Sequence, residues 1–252
     1  MRYALQYLRS LAFVGQMYLA MPVFAVLFTL PAMMSRKWAF HAIHAYCHWV
    51  RWSARWMIGL RSEIRGTPPA SEVLIASKHQ SFFDIIMLVS VTPRPRFIMK
   101  KSLKWAPILG WYAMRIGCVP VDRGKRGQAI RQMVEGVAQG RQAPGQLIIY
   151  PQGTRVAPGA SRPYKIGTGV LYDQFGHDCV PAATNVGVFW PRTGIYRRPG
   201  LAVVEFLPVI PAGKPVDAFM AELEATIEAA SDRLMGEAGF DAPAARAGQV
   251  SR

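Results

Sequence analysis

The sequence predicts an α/β fold: a largely parallel central sheet flanked by helices, preceded by an N-terminal two-helix membrane hairpin. Three observations predict it. Residues 11–34 carry no charge, a run of 24. Residues 38–60 add a second helical stretch rich in tryptophan, arginine and histidine. Beyond Gly66-Thr67-Pro68-Pro69, a linker signal, short apolar runs alternate with helical patterns, the rhythm of strands joined by crossovers.

The uncharged run is long enough for a hydrocarbon layer roughly 30 Å thick. It is long for a signal peptide and lacks a small-residue cleavage site. Arg2 and Arg9 precede it and Arg36 and Lys37 follow, so positive charge selects no orientation. The run fits either a true span or a segment that enters and returns, kinked at Pro22 or Pro31. Trp38, Trp49, Trp52 and Trp56 with Arg51 and Arg55 form an interfacial composition. His41, His44 and His48 read as a polar stripe at the headgroups, and no metal is expected.

The remaining elements follow in order. Strands are expected at 72–77, 96–99, 118–121, 146–150, 179–184 and 201–208. Helices are expected at 82–91, 127–140, 166–175 and 216–235, with a helical or irregular stretch at 103–115. The division is residues 1–62 for the hairpin, 63–236 for the α/β domain and 237–252 for a disordered tail.

The chain carries a net charge of +15, unevenly placed. Residues 94–165 hold 14 Lys/Arg against Asp122 and Glu135, a net of +12. Residues 200–252 hold 8 acids against 4 bases. A basic middle suits an anionic partner, unless the excess charge serves only solubility. Nucleic acid is not the expected partner, because the basic stretch lacks interleaved aromatics and the chain has no Walker-type loop. Cys47, Cys118 and Cys179 are scattered without a C-x-x-C, which argues against disulfides and zinc and fits a reducing face.

Two short blocks carry the chemistry. Residues 78–84 read Lys-His-Gln-Ser-Phe-Phe-Asp. His79 lies between a strand and a helix, where open α/β sheets bind ligands. Five residues separate it from Asp84; within one helix they would point about 140° apart, so they meet only if His79 stays in the loop. Ser81-Phe-Phe-Asp84 is a capping-box pattern that permits this layout. The same pattern leaves open that Asp84 merely caps and His79 is an ordinary loop residue. As a pair, they are a general base and the carboxylate that sets its tautomer. Residues 150–155 read Tyr-Pro-Gln-Gly-Thr-Arg: a strand, a turn in which Gly153 lets backbone amides approach an oxyanion, then a guanidinium at Arg155. Lys100 and Arg123 end two further strands, so several strand ends deliver cations to one phosphate basin, unless each is a solvated loop charge.

Four blocks in this order resemble the glycerolipid acyltransferases, most closely their bacterial 1-acyl-glycerol-3-phosphate branch. His79 to Asp84 resembles H-x-x-x-x-D. Lys100-Lys-Ser-Leu to Pro107 and Gly110, closing at Val121-Asp122-Arg123, resembles the second block. Pro151-Gln-Gly-Thr-Arg155 resembles the E-G-T-R block, and Val180-Pro181 the fourth. The resemblance implies that His79, oriented by Asp84, deprotonates a glycerol 2-hydroxyl that attacks an acyl thioester. It implies that Lys100, Arg123, Gly153, Thr154 and Arg155 hold the acceptor phosphate and that backbone donors stabilise the oxyanion. It further implies a lysophospholipid acceptor, a donor on acyl carrier protein or CoA, no metal or cofactor, and the cytoplasmic face of a bacterial inner membrane. Gln152 replaces the usual glutamate, and Lys78 the common asparagine. Three rivals remain: an acyltransferase acting on another lyso-lipid such as lyso-ornithine lipid, a lipid hydrolase using Ser81, and a non-enzymatic lipid-binding protein.

Overall fold

The computed structural model of the chain describes residues 2–121, Glu135 and 145–241. Asp122, Arg123, nearly all of the helix expected at 127–140, and residues 242–252 of the expected tail lie outside the described residues.

Two long helices open the chain, α1 (Arg2–Met34) and α2 (Arg36–Ile58). Ser35 is the single residue between them; its hydroxyl accepts the Lys37 amide and caps α2. The helices run antiparallel. Gln6 reaches the Ile58 carbonyl at 3.0 Å, Gln16 reaches Ser53 at 3.0 Å, and Phe28 meets Trp38. Pro22 and Pro31 lie inside a continuous α1, so the chain does not turn back at either. Each proline removes one amide from the helical ladder, and a helix of 33 residues keeps its remaining bonds. The reversal comes instead at Ser35. The stretch Tyr3–Met34 is long and apolar enough to cross a membrane, and only 11% of its most apolar window is buried within the fold.

Among the described residues seven strands follow: β1 (Leu60–Arg65), β2 (Leu74–Ser77), β3 (Pro95–Lys100), β4 (Val119–Val121), β5 (Gln146–Ile149), β6 (Cys179–Thr184) and β7 (Gly200–Phe206). Their order across the sheet is β1-β7-β6-β2-β5-β3-β4. All pairings are parallel except β6 with β7. Between them lie α3 (Phe83–Val91), a 3-10 turn (Lys101–Trp105), α4 (Leu109–Ile116), α5 (Gly167–Phe175) and a short helical turn (Val186–Phe189); α6 (Val216–Glu237) closes the chain.

The two faces of the sheet bury separate cores because successive strand residues point to opposite sides. Ile75, Ile148, Val180 and Val204 face α3 and the hairpin, whose Phe13, Met17, Val50 and Ala54 join the same cluster. Leu74, Ala76, Leu147 and Ile149 face α5 and α6, meeting Leu171, Tyr172, Phe219 and Leu223. Hairpin and sheet therefore share one core. A fully buried side chain such as Phe13 contributes roughly 1.5–3 kcal/mol, so the hairpin is a structural layer of the domain.

Two sequence boundaries shift. The division at residue 62 falls inside β1, an edge strand whose Leu-Arg-Ser-Glu-Ile-Arg composition hides its pairing with β7. Glu237 belongs to α6 and pairs with Arg65 and Arg233 at 2.6 Å each, so it is not part of a disordered tail.

Candidate active site

β2 and β5 are adjacent and parallel, so both release their chains at the same end of the sheet. His79 leaves β2 and Tyr150 leaves β5. His79 Nδ1 lies 3.0 Å from Asp84 Oδ1. Asp84 is fully buried in the first turn of α3, and the His79 side chain is 12% exposed. The second carboxylate oxygen of Asp84 accepts the amides of Gln80 and Ser81, each at 2.8 Å. Half of the expected capping box therefore forms. Ser81 instead receives the Phe83 amide at 3.2 Å, and its side chain is fully buried.

The buried carboxylate thus accepts from two fixed amides and the ring. That arrangement places the proton on Nδ1 and leaves the lone pair on Nε2, which makes no hydrogen bond to any described residue. Tyr150 stacks on the imidazole, with centroids 3.9 Å apart and planes 19° apart, and restricts its rotation. Burial first, then the Asp84 charge, holds the Tyr150 phenol above its usual range, so it stays neutral. Its hydroxyl has no partner among the described residues.

The second block is tied to the first through the backbone. The Val156 amide donates to the His79 carbonyl at 2.8 Å. Gly153 turns the chain with φ +69, and its amide donates to Tyr150. A β-carbon at Gly153 would sit 2.7 Å from Lys165 Nζ and push that side chain aside, and the positive φ would strain any residue other than glycine. The Gln152 side chain points inward: Nε2 donates to the Arg162 carbonyl at 3.2 Å, while Oε1 is buried without a partner. Lys165 N donates to Pro151 O at 2.9 Å and closes the loop.

The expected phosphate residues are spread along this rim. Half-buried Thr154 and Arg155 follow Gly153, with Arg155 Nη1 on the Arg192 carbonyl at 3.2 Å. Lys100 is exposed at the end of β3, beside β5, and its register partner is Val121 at the end of β4. Arg123, two residues beyond Val121, lies outside the described residues. Neither Lys100 nor Arg155 hydrogen-bonds to the His79–Asp84 pair. The strand ends bring them to one edge. In the second block, a β-carbon at Gly110 would lie 2.2 Å from the Lys104 carbonyl. The 3-10 turn and α4 pack together only with glycine there, and Trp105 of the turn is 78% exposed.

Sequence reasoning missed one connection. Lys78, 2% exposed, is held by Glu228 of α6 at 2.5 and 2.7 Å, and Tyr164 donates to the same carboxylate at 2.9 Å. Glu228 therefore fastens the residue before His79 and the segment returning from the Gly153 turn. Its signal was faint: a lysine inside an apolar strand-end run requires a partner, but 150 residues separate the two.

Comparison with known proteins bears on the family and the fold. A family model described as Acyltransferase matches residues 61–185. The 1-acyl-sn-glycerol-3-phosphate acyltransferase of Pseudomonas aeruginosa is 27% identical over 197 residues, 77% of each chain. The corresponding protein of Saccharomyces cerevisiae is 30% identical over 61% of this chain, which spans only 53% of that protein's length. In fold, the crystal structure of the 1-acyl-sn-glycerophosphate (LPA) acyltransferase from Thermotoga maritima superposes with a TM-score of 0.77 at 16% identity, covering 93% of this chain and 99% of that one. The matched segment runs from β1 to Asn185 and contains His79, Asp84, Lys100 and the whole Gly153 turn: the chain belongs to the acyltransferase family.

Proposed function

We propose that this acyltransferase moves a fatty acyl group from a thioester to the 2-hydroxyl of 1-acyl-glycerol-3-phosphate, giving phosphatidic acid. The observation that carries the reading is His79, held through Nδ1 by buried Asp84 and tied at its carbonyl to the Gly153–Arg155 turn. His79 Nε2 takes the hydroxyl proton as that oxygen attacks the thioester carbonyl. The C–S bond then breaks, and the departing thiolate takes the proton back from the imidazolium. Asp84 stays ionised throughout and stabilises that cation. Lys100, Arg123, Gly153, Thr154 and Arg155 hold the acceptor phosphate. The chemistry needs no resident metal or cofactor; acyl carrier protein or CoA supplies the donor.

Burial of Ser81, with its hydroxyl accepting the Phe83 amide, disfavours a serine nucleophile and hence the hydrolase reading. The exposed apolar face of α1 supports seating in a membrane. Three free, buried cysteines support a reducing compartment, the cytoplasmic face of a bacterial inner membrane.

Purified protein with labelled acyl thioester and a panel of lyso-acceptors tests the reading. Acyl transfer is expected to require the acceptor. His79→Ala and Asp84→Asn are each expected to lower turnover by about 10²–10⁴-fold with the fold retained. Fatty acid released without acceptor, or a fully active His79→Ala, would refute it.

A further inference from the structure

The start of β1 and the second half of α2 border a recess remote from His79 in the sheet order. β1 is the edge strand and stands three places from β2. Because β7 runs antiparallel to β6, the N-terminal end of β1 lies toward the same end of the sheet as His79. There a cavity of about 530 Å³ is walled by His48, Arg51, Trp52, Arg55, Arg61 and Glu63, among others.

Its charge is organised. Arg51 is fixed by Ser62 Oγ at 2.9 Å and Ser90 Oγ at 2.8 Å, so its guanidinium is held in place at the wall. Arg55 and Arg61 are exposed and form no ion pair with any described residue. The one acid, Glu63, accepts from Arg65 at 2.7 Å, so its charge is already compensated. Trp52 is exposed and lies against Trp49, with centroids 5.1 Å apart. Arginines around a recess, with tryptophan at its rim, match a phosphodiester at the headgroup level of a bilayer.

We propose that this recess binds the phosphate headgroup of an anionic phospholipid at a site separate from the acceptor site. Arg51 supplies fixed charge, Arg55 and Arg61 supply donors, and Trp52 sits at the acyl–headgroup boundary. A concave, tryptophan-rimmed recess fits a headgroup better than the convex surface of an acidic carrier protein.

The test uses the full chain in detergent, titrated with dihexanoyl phosphatidylglycerol or dihexanoyl phosphatidylcholine. Tryptophan fluorescence is the readout, with Trp52→Phe as the control for its source. The anionic lipid is expected to bind at least fivefold more tightly, since one arginine near an anionic headgroup is worth on the order of fivefold. Arg55→Gln/Arg61→Gln should abolish the difference while leaving acyl transfer onto a short-chain acceptor unchanged. Arg155→Ala should keep the difference, which separates this recess from the active site. Equal affinity for the two lipids would overturn the proposal, as would a preference that survives the double arginine change. Competition by inorganic phosphate at the lipid's own concentrations would show a free-anion site. Arginine-dependent capture of acyl carrier protein without lipid preference would show a protein dock. Either result would also overturn it.

Discussion

The carbonyl of His79 accepts the backbone amide of Val156 at 2.8 Å. One hydrogen bond thus joins the loop that bears His79 to the loop that bears Arg155, whatever side chains either carries. Val156→Pro removes this donor without touching His79, Asp84 or Arg155. A displacement of about 1 Å at a reacting group can cost roughly 10²-fold in rate. Turnover of Val156→Pro is expected to fall by that order, while Val156→Ala, which keeps the amide, should retain most activity. Steady-state kinetics of the two variants checks it; equal rates would show that the bond does not position the base.

Gln152 makes a bond that glutamate cannot make, because a carboxylate has no hydrogen to give the Arg162 carbonyl. Gln152→Glu, although it restores the residue usual in the family, should therefore lower stability by about 1–3 kcal/mol. Thermal unfolding in detergent would register the loss; an unchanged or raised melting temperature would contradict it.

Lys78 and Glu228 should behave asymmetrically. Glu228→Gln leaves an ammonium 2% exposed without its carboxylate, and breaking such a buried pair costs on the order of 3–5 kcal/mol. Lys78→Met with Glu228→Gln removes the stranded charge and should recover much of that loss. A double variant as unstable as the single one would argue against the account. The comparison is read from denaturant midpoints.

Alkaline pH should expose the buried thiols. Burial pushes Cys118 and Cys179 up to about 12 from an ordinary 9.0. The folded chain thus keeps them neutral while the unfolded chain ionises them. Their contribution is fully present below pH about 9 and is lost as pH rises toward 12, by up to about 1.4 kcal/mol per pH unit per thiol. Melting temperatures from pH 7 to 11 should fall above pH 9, and Cys118→Ala/Cys179→Ala should show a shallower fall. An identical slope in the double variant would place the loss elsewhere.

Much of this was legible in the chain. The apolar runs at Leu74, Gln146 and Cys179 announced the central strands, because β2, β5 and β6 are buried on both faces. The spacing of His79 and Asp84 required a loop-then-helix layout, and the structure has it. β1 was hidden because an edge strand carries charges, and its Arg61, Glu63 and Arg65 imitate a solvated linker. The Tyr150 stack and the inward turn of Gln152 depend on packing between elements, which no local pattern encodes. The reach from Lys78 to Glu228 crosses most of the domain and was equally silent.

The shared core of hairpin and sheet carries a mechanical consequence. Phe13 and Met17 of α1 lie in the same packed cluster as Ile75 and Ile148, on the two strands that lead to His79 and Tyr150. The protein is therefore a float with its tool welded to the hull. If α1 is seated in a bilayer as proposed, its depth and tilt would set the height of His79 directly, because Gly59 alone separates α2 from β1.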